Sequence, residues 1–287
     1  MTIKIASAQY DISFFHSWQE YVSKIRRWVT AACAEKAEVL LFPEYGSMEL
    51  ASLFGEAVYK SLGAQLEAMQ SVHLDFIKLY QDLAQEHDCI IQPGTFPVLQ
   101  PGGHYCNRAY LFTPDGHYDY QDKLQMTRFE NEQWFVSSGT ELKCFDTRIG
   151  KIAISVCYDS EFPLLARKQV EMGADLILVP SCTDTLAGYH RVRIGCQARA
   201  LENQCYVVQS CTVGEAPWSE AVDVNIGAAG IFTPVDRTFP DNGILAIGEL
   251  NASQWVFAEI NLYAIAMVRQ QGQVFNYRDW PLQNRFL

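Results

Sequence analysis

The sequence is short of positive charge, and what it has is scattered. Its 287 residues carry 22 Lys and Arg against 33 Asp and Glu, a formal net charge of −11, and no run of consecutive basic residues exceeds two. An acidic chain without a basic stripe argues against nucleic acid and anionic membrane surfaces as partners. Long apolar runs are missing too, and none approaches the roughly 20 residues of a membrane-spanning helix. The opening stretch MTIKIASAQYDISFF alternates polar and apolar residues without an uninterrupted apolar block. It reads as a first strand, not as a secretory signal.

Metal-binding and disulfide patterns are also lacking. The nine cysteines (33, 89, 106, 144, 157, 182, 196, 205 and 211) are odd in number, and they form neither a C-x-x-C pair nor a Cys/His cluster of zinc-finger spacing. Most sit in apolar surroundings, where a free thiol behaves as a small hydrophobe. A reducing, cytoplasmic setting is the simplest reading. There is no internal repeat, low-complexity tract or linker.

What is present is apolar material, 49% of the residues against 19% charged, enough for a full core. Alternation predicts a strand over 3–9, and the spacing of Tyr21, Ile25, Trp28 and Ala32 predicts a helix over 17–36. The run 37–42 is a short strand covered on both faces. A second long helix is expected over 62–86, with Leu62, Leu66, Met69, Leu74, Ile77, Leu83 and Ala84 inside, followed by one strand over 89–98. Pro114-Asp115-Gly116 turns a hairpin between 106–113 and 117–121, and residues 123–139 are irregular.

A second hairpin (142–147 and 151–156) leads to a helix over 163–172, a strand over 174–179, a helix over 186–203 and a strand over 205–211. Strand-like runs at 226–233, 244–250 and 254–261, a short helix at 262–269 and an irregular tail close the chain. This order puts sheet inside and helices outside. It predicts one α/β (α+β) domain over 1–270 with a tail at 271–287, built as two face-to-face sheets with a helical layer on each outer side.

Residues 151–167, KIAISVCYDSEFPLLAR, are the centre of the reading. An apolar run stops at Cys157, the acidic pair Asp159 and Glu161 follows, and Pro163 opens a helical pattern. A thiol at such an elbow meets the unpaired N–H groups and partial positive charge of a helix start, which favour a low-pKa thiolate. Two other strand-like runs also end in ionisable residues, at Pro43-Glu44 and Asp122-Lys123. Each of these alone has an ordinary explanation as a core thiol, a loop carboxylate or a solvated lysine. Together they match a chemical need. A thiol attacking a carbonyl or nitrile carbon needs a base, which a carboxylate in an apolar site supplies. The developing oxyanion needs fixed positive charge or N–H donors, here Lys123 and the backbone N–H of Tyr158.

FPEYGSMEL, YQDKLQMTRFE and ISVCYDSEFPLLAR, in this order, resemble the three signature segments of the nitrilase superfamily, the carbon–nitrogen hydrolases. CNRAYLFTPDG, SSGTELKCFDTRIGKIAI, GADLILVPS and RVRIGCQARALENQCYVV extend the resemblance over about residues 3 to 270. The resemblance implies a four-layer αββα sandwich. It implies Glu44 as general base and acid, Lys123 as oxyanion stabiliser and Cys157 as the nucleophile that forms a thioester. Family members often carry a second glutamate between the lysine and the cysteine. Counted back from Gly139, Glu132 fits that place, with Glu130 as the alternative. No metal or organic cofactor is implied. A homodimer or higher homo-oligomer paired through about 163–172 and 188–203 is.

Tyr158-Asp159 after the cysteine resembles the amidase and ω-amidase-type members more than true nitrilases, so a small linear amide is the expected substrate. A nitrile or an N-carbamoyl compound is the alternative, and a non-catalytic binding protein on the same fold a remote one. Asn261 and Ala228-Ala229 depart from the family pattern outside the catalytic set. Arg191 and Arg193 are candidates for binding a substrate carboxylate, and Trp134, Phe135 and Trp218 for walling an apolar pocket. A cysteine–histidine protease would use His104 or His190, but the Glu–Lys–Cys set at three strand ends explains more of the sequence.

Overall fold

The computed structural model describes residues 2–286. Its first half runs β1 (Thr2–Asp11), α1 (Trp18–Ala34), β2 (Val39–Phe42), α2 (Glu56–Tyr59), α3 (Leu62–Met69), α4 (His73–Glu86), β3 (Ile90–Pro93), β4 (Thr95–Leu99), β5 (Tyr105–Phe112) and β6 (Tyr118–Asp122). The second half runs β7 (Val136–Ser137), β8 (Cys144–Thr147), β9 (Gly150–Ile154), α5 (Pro163–Glu171), β10 (Leu176–Ser181), α6 (Leu186–Asn203), β11 (Tyr206–Glu215), β12 (Val224–Asn225), β13 (Gly230–Phe232), β14 (Ile244–Ile247), β15 (Gln254–Asn261), α7 (Leu262–Gln271) and α8 (Asn276–Asp279).

Strand pairing orders one sheet β6-β5-β3-β2-β1-β15 and the other β8-β9-β10-β11-β13-β14. They meet where the end of β1 pairs in parallel with the end of β11, Gln9 opposite Cys211 and Asp11 opposite Val213. Alternation along each strand builds the layers, because successive side chains point to opposite faces. Ile3 and Ile5 of β1 and Val39 and Leu41 of β2 join a buried cluster with Ile152, Leu176 and Val207 of the other sheet. Ala6 and Ala8 of β1 and Leu40 and Phe42 of β2 join a different cluster with Ile25 and Val29 of α1 and Phe76 and Tyr80 of α4. On the far side, Ala166 and Val170 of α5 and Val192 and Cys196 of α6 cover the second sheet. The result is the expected αββα sandwich.

Three expectations are corrected. The helix over 62–86 is broken at 70–72, and Leu74, expected inside, is 78% exposed. Gln70 causes the break: its amide donates to Leu66 O and Pro97 O (both 2.8 Å), and its carbonyl accepts from Leu99 N (3.0 Å), which docks the interruption onto β4. The strand over 89–98 is split at Gly94, whose φ is +80°. A Cβ there would lie 2.0 Å from Pro43 O, so only glycine lets the two segments approach. The tail is not irregular: α8 and a tight helical turn over Trp280–Phe286 occupy it, with Tyr277 O accepting from Arg167 of α5 at 3.1 Å.

Candidate active site

Glu44 follows β2 on a turn held by the Thr95 side chain of β4. Tyr45 N donates to Thr95 Oγ1 at 2.9 Å, and Tyr45 takes a left-handed φ of +55°. Lys123 follows β6. Its N–H donates to Asn107 O at 2.9 Å, and its carbonyl accepts from Gly139 N at 2.8 Å. Just before it, Asp122 takes a two-point bond from Arg108 at 2.7 and 2.9 Å. Cys157 comes three residues after β9 and has a φ of +46°, a strained conformation for a residue with a side chain. A short helical turn over Cys157–Glu161 follows, held by a bond from Ser160 Oγ to Cys157 O of 2.6 Å.

One carboxylate ties the last two segments together. Asp159, 2% exposed, accepts from Leu124 N (3.1 Å) and Gln125 N (2.6 Å), next to Lys123, and from Val156 N (3.3 Å), next to Cys157. Burial pushes its carboxyl up to about 7, against Lys123 and the backbone donors, which pull it down.

The three strand ends converge on a cavity of about 350 Å³ lined by Glu44, Lys123, Glu130 and Cys157. The Lys123 ammonium, 1% exposed, donates to Glu44 Oε1 at 2.8 Å and to both Glu130 oxygens at 2.8 and 2.7 Å. Asn107 Nδ2 donates to Glu44 Oε1 at 2.9 Å, and Cys182 N to Glu44 Oε2 at 3.2 Å. Glu130 also accepts from Tyr45 OH at 2.6 Å and from Thr127 N and Oγ1 at 2.9 and 2.8 Å.

These surroundings separate the two carboxyls. Burial raises Glu44 in spite of Lys123. Burial acts the same way on Glu130, but Lys123, Tyr45 and Thr127 outweigh it and hold this carboxyl below its ordinary range. Two carboxyls pushed apart in this way suit two roles, a proton carrier and a fixed anion. Lys123 is held protonated by Glu130 and Glu44 against the cost of its own burial. The Cys157 thiol differs from the expected low-pKa thiolate. Burial and then the Glu44 charge push it well up, outweighing Lys123 and the bond from Sγ to Cys182 O (3.7 Å). It rests as a thiol and needs a base.

Glu132, put first for the second glutamate, lies outside the cluster. It does not line the cavity, and its side chain, 53% exposed, pairs with Arg128 at 2.7 Å. Glu130 stands beside Lys123 instead. The backbone decides this. Glu130 N donates to Thr127 Oγ1 at 3.3 Å while the Glu130 carboxylate accepts from Thr127 N, a reciprocal capping box. The signal was present as T-R-F-E at 127–130.

Tyr158 and Trp134 both line the cavity; Trp134 is buried against Tyr45 with ring centroids 4.8 Å apart. Arg191 also lines it, half-engaged with Glu161 at 3.5 Å. Arg193, Phe135 and Trp218 are not among its lining residues, and Phe135 is 72% exposed. His104 and His190 are exposed and are not among the residues that line the cavity. The sequence reading gave no place in the site to Asn107, Tyr45 or Cys182, and it noted Asp159 without its bonds to both loops.

The profile of the carbon–nitrogen hydrolase family matches residues 4–248. Among curated proteins the chain is similar to a probable hydrolase, YhcX, of Bacillus subtilis, 36% identical over 277 residues, which are 96% of this chain and 53% of that protein. It is also similar to the nitrilase and fragile histidine triad fusion protein NitFhit of Caenorhabditis elegans, 28% identical over 75% of this chain and 49% of the fusion. The chain therefore spans about half the length of these two relatives. Omega-amidase NIT2 of Homo sapiens is 24% identical over 96% of this chain and 95% of its own. Among solved structures, the amidase from Nesterenkonia sp. AN1, determined with the product of Michael addition of acrylamide at its active-site cysteine, superposes with a TM-score of 0.71 over 99% of this chain and 100% of that one, at 18% identity. No described helix is long and apolar enough to cross a membrane. The chain belongs to the carbon–nitrogen hydrolase family of the nitrilase superfamily.

Proposed function

We propose that this chain hydrolyses a small linear amide to a carboxylic acid and ammonia through a thioester on Cys157. The observation that carries the reading is the buried Glu44–Lys123–Glu130 cluster facing the Cys157 thiol across one cavity. Glu44 takes the thiol proton as sulfur attacks the amide carbon, and the C–O π electrons move to oxygen. The Lys123 ammonium and the Tyr158 N–H hold the oxyanion. Collapse breaks the C–N bond, and Glu44 returns the proton to the leaving nitrogen. Water then gives a proton to Glu44 and attacks the thioester. The C–S bond breaks, the acid leaves, and the thiolate regains its proton from Glu44.

Glu130, an anion fixed by Lys123, Tyr45 and Thr127, keeps the lysine charged and in place throughout. Amide substrates are favoured by the similarity to omega-amidase and by Tyr158-Asp159 after the nucleophile. The cavity of about 350 Å³ suits a small molecule and not a folded chain. Its walls come from the loops near 127–134, 182–191 and 220–224, so these set which amide enters. Pairing of two copies through α5 and α6 belongs to the same reading: Leu164 and Ile194 are 71% and 64% exposed there. Ammonia release from amide, nitrile and carbamoyl panels tests the proposal. Turnover confined to amides is expected, and release of carbon dioxide would identify a carbamoyl substrate instead. Full activity in Cys157→Ala would overturn the mechanism.

A further inference from the structure

The catalytic reading leaves one close pair of thiols unexplained. Cys33, in the last turn of α1, and Cys89, at the entry to β3, have sulfurs 3.8 Å apart although they are 56 residues apart in sequence. Both sit at helix-to-strand corners pinned by backbone bonds. On one side Lys36 N donates to Cys33 O (2.9 Å) and Ala37 N to Ala32 O (3.2 Å). On the other, Cys89 N donates to Ala84 O (3.1 Å) and Ile90 N to Glu38 O (2.8 Å), and Asp88 is held by Arg148 at 2.6 Å. Neither corner can drift far from the other, because β2, which follows α1, pairs with β3 in parallel, Val39 opposite Ile90.

We propose that Cys33 and Cys89 form a reversible disulfide under oxidation by a peroxide, a modification site separate from the catalytic thiol. Cys33 is half-buried and reachable, whereas Cys89 is 1% exposed. The Cys33 thiolate attacks one peroxide oxygen, the O–O bond breaks, and Cys33 becomes a sulfenic acid as hydrogen peroxide is reduced to water. Cys89 sulfur then attacks Cys33 sulfur, the S–O bond breaks, and the departing hydroxide takes the Cys89 proton as a second water. Two thiols lose two electrons, and one peroxide gains them. The sulfurs must close from 3.8 Å to about 2.05 Å, which rotation of two short side chains about χ1 can supply.

The electrostatics agree with this order of attack. With the Cys89 S–H donating to the Cys33 sulfur, the bond between the two lowers the Cys33 thiol and raises Cys89, whereas burial raises Cys157. Within the pair, Cys33 is therefore the attacking sulfur and Cys89 the resolving one. The cross-link staples α1 to the N-terminal end of β3, away from the ends of β2 and β9 where Glu44 and Cys157 lie, so the site geometry is untouched. Closing a loop of this length restricts the unfolded chain and stabilises the fold.

The test is titration of the full chain with hydrogen peroxide, followed by digestion without reduction and peptide mass spectrometry, with thermal unfolding in parallel. A peptide pair linked through Cys33 and Cys89, removed by dithiothreitol, with Cys157 still unoxidised and Tm higher by several degrees, is the expected result. Cys33→Ser and Cys33→Ala, each at a half-buried position, are expected to abolish both the cross-link and the Tm shift. Oxidation of Cys157 before any cross-link, or of Cys33 to sulfinic acid with Cys89 left free, would overturn the proposal.

Discussion

Two buried lysine–carboxylate clusters each take a glutamate, Glu44 or Glu49, from the segment after β2, and only one of them faces a cavity. In the first, Lys123 bridges Glu44 and Glu130. In the second, Lys24 of α1 donates to Glu49 Oε2 at 2.9 Å, Tyr10 OH makes a short bond to Glu49 Oε1, and Ser13 N donates to Glu49 Oε2 at 3.0 Å. Burial raises the carboxyl of Glu49 just as it raises that of Glu44. A perturbed carboxyl alone therefore does not mark a site. The difference lies in what stands beside it. Around Glu49 the space between Tyr10, Tyr21, Phe42 and Tyr80 leaves no room for a water. Around Glu44 there is a cavity and a thiol. The charge count differs too. Lys24 has one buried carboxylate, and the half-exposed Asp11 lies at 3.7 Å. Lys123 has two buried carboxylates, so one of them is free to carry a proton. One cluster is sealed in the core, and the other opens onto a cavity beside a thiol.

The largest effects are expected at Cys157 and Glu44. Cys157→Ala and Glu44→Gln are expected to reduce ammonia release by at least ~10³-fold with the fold retained by circular dichroism. Residual activity within tenfold of wild type would place the chemistry elsewhere. Glu130→Gln removes the fixed anion beside Lys123 and is expected to cost roughly 10²-fold in kcat. Glu132→Gln, two residues away in an exposed pair with Arg128, should leave kcat within twofold. Equal effects of the two would refute the assignment of the second glutamate to position 130.

Lys24→Met in the other cluster leaves Glu49 buried without its cation. It should cost about 3 kcal/mol of stability by denaturant unfolding and far less activity than Glu44→Gln. Collapse of kcat without loss of stability would show that the two clusters are not separate in role.

Two pH effects sharpen the contrast. Glu44 must be ionised to accept the thiol proton, and burial raises its carboxyl. The acid limb of kcat/KM is therefore expected above the ordinary glutamate range, measured as a pH–rate profile. Asp159 tests the link between the segments that carry Lys123 and Cys157. Burial raises its carboxyl to about 7, so below that pH the folded chain binds a proton that the unfolded chain releases in the ordinary aspartate range. Stability from this group is present at low pH and is lost as pH rises through about 7. Between pH 5 and pH 8 the wild type should lose on the order of 2 kcal/mol relative to Asp159→Asn. Parallel pH–stability curves would rule this out.

Much of the candidate site's geometry was legible in the sequence, for a physical reason. Glu44, Lys123 and Cys157 each end a strand-like run, and a strand end is where a rigid sheet hands a residue to a loop. The second glutamate was harder to place because residues 123–139 have no period to count along. Its position depends on a capping box at Thr127 and on Phe135 with φ +58°, not on spacing from Gly139. The thiol was read as activated by a helix start, but in the fold burial and then the Glu44 charge push it up, so it rests protonated. The long helix over 62–86 had a sound apolar stripe. Its break comes from Gln70 reaching β4, a contact between segments that periodicity along one segment does not contain.

The central claim, that Cys157 carries the acyl group, is tested most directly by mass spectrometry of the protein quenched with acid during turnover of a small-amide library. The account predicts one adduct, of substrate mass less ammonia, on the peptide containing Cys157, and no adduct in Cys157→Ala. Steady ammonia release with no adduct on Cys157, or release that persists in Cys157→Ala, would contradict it.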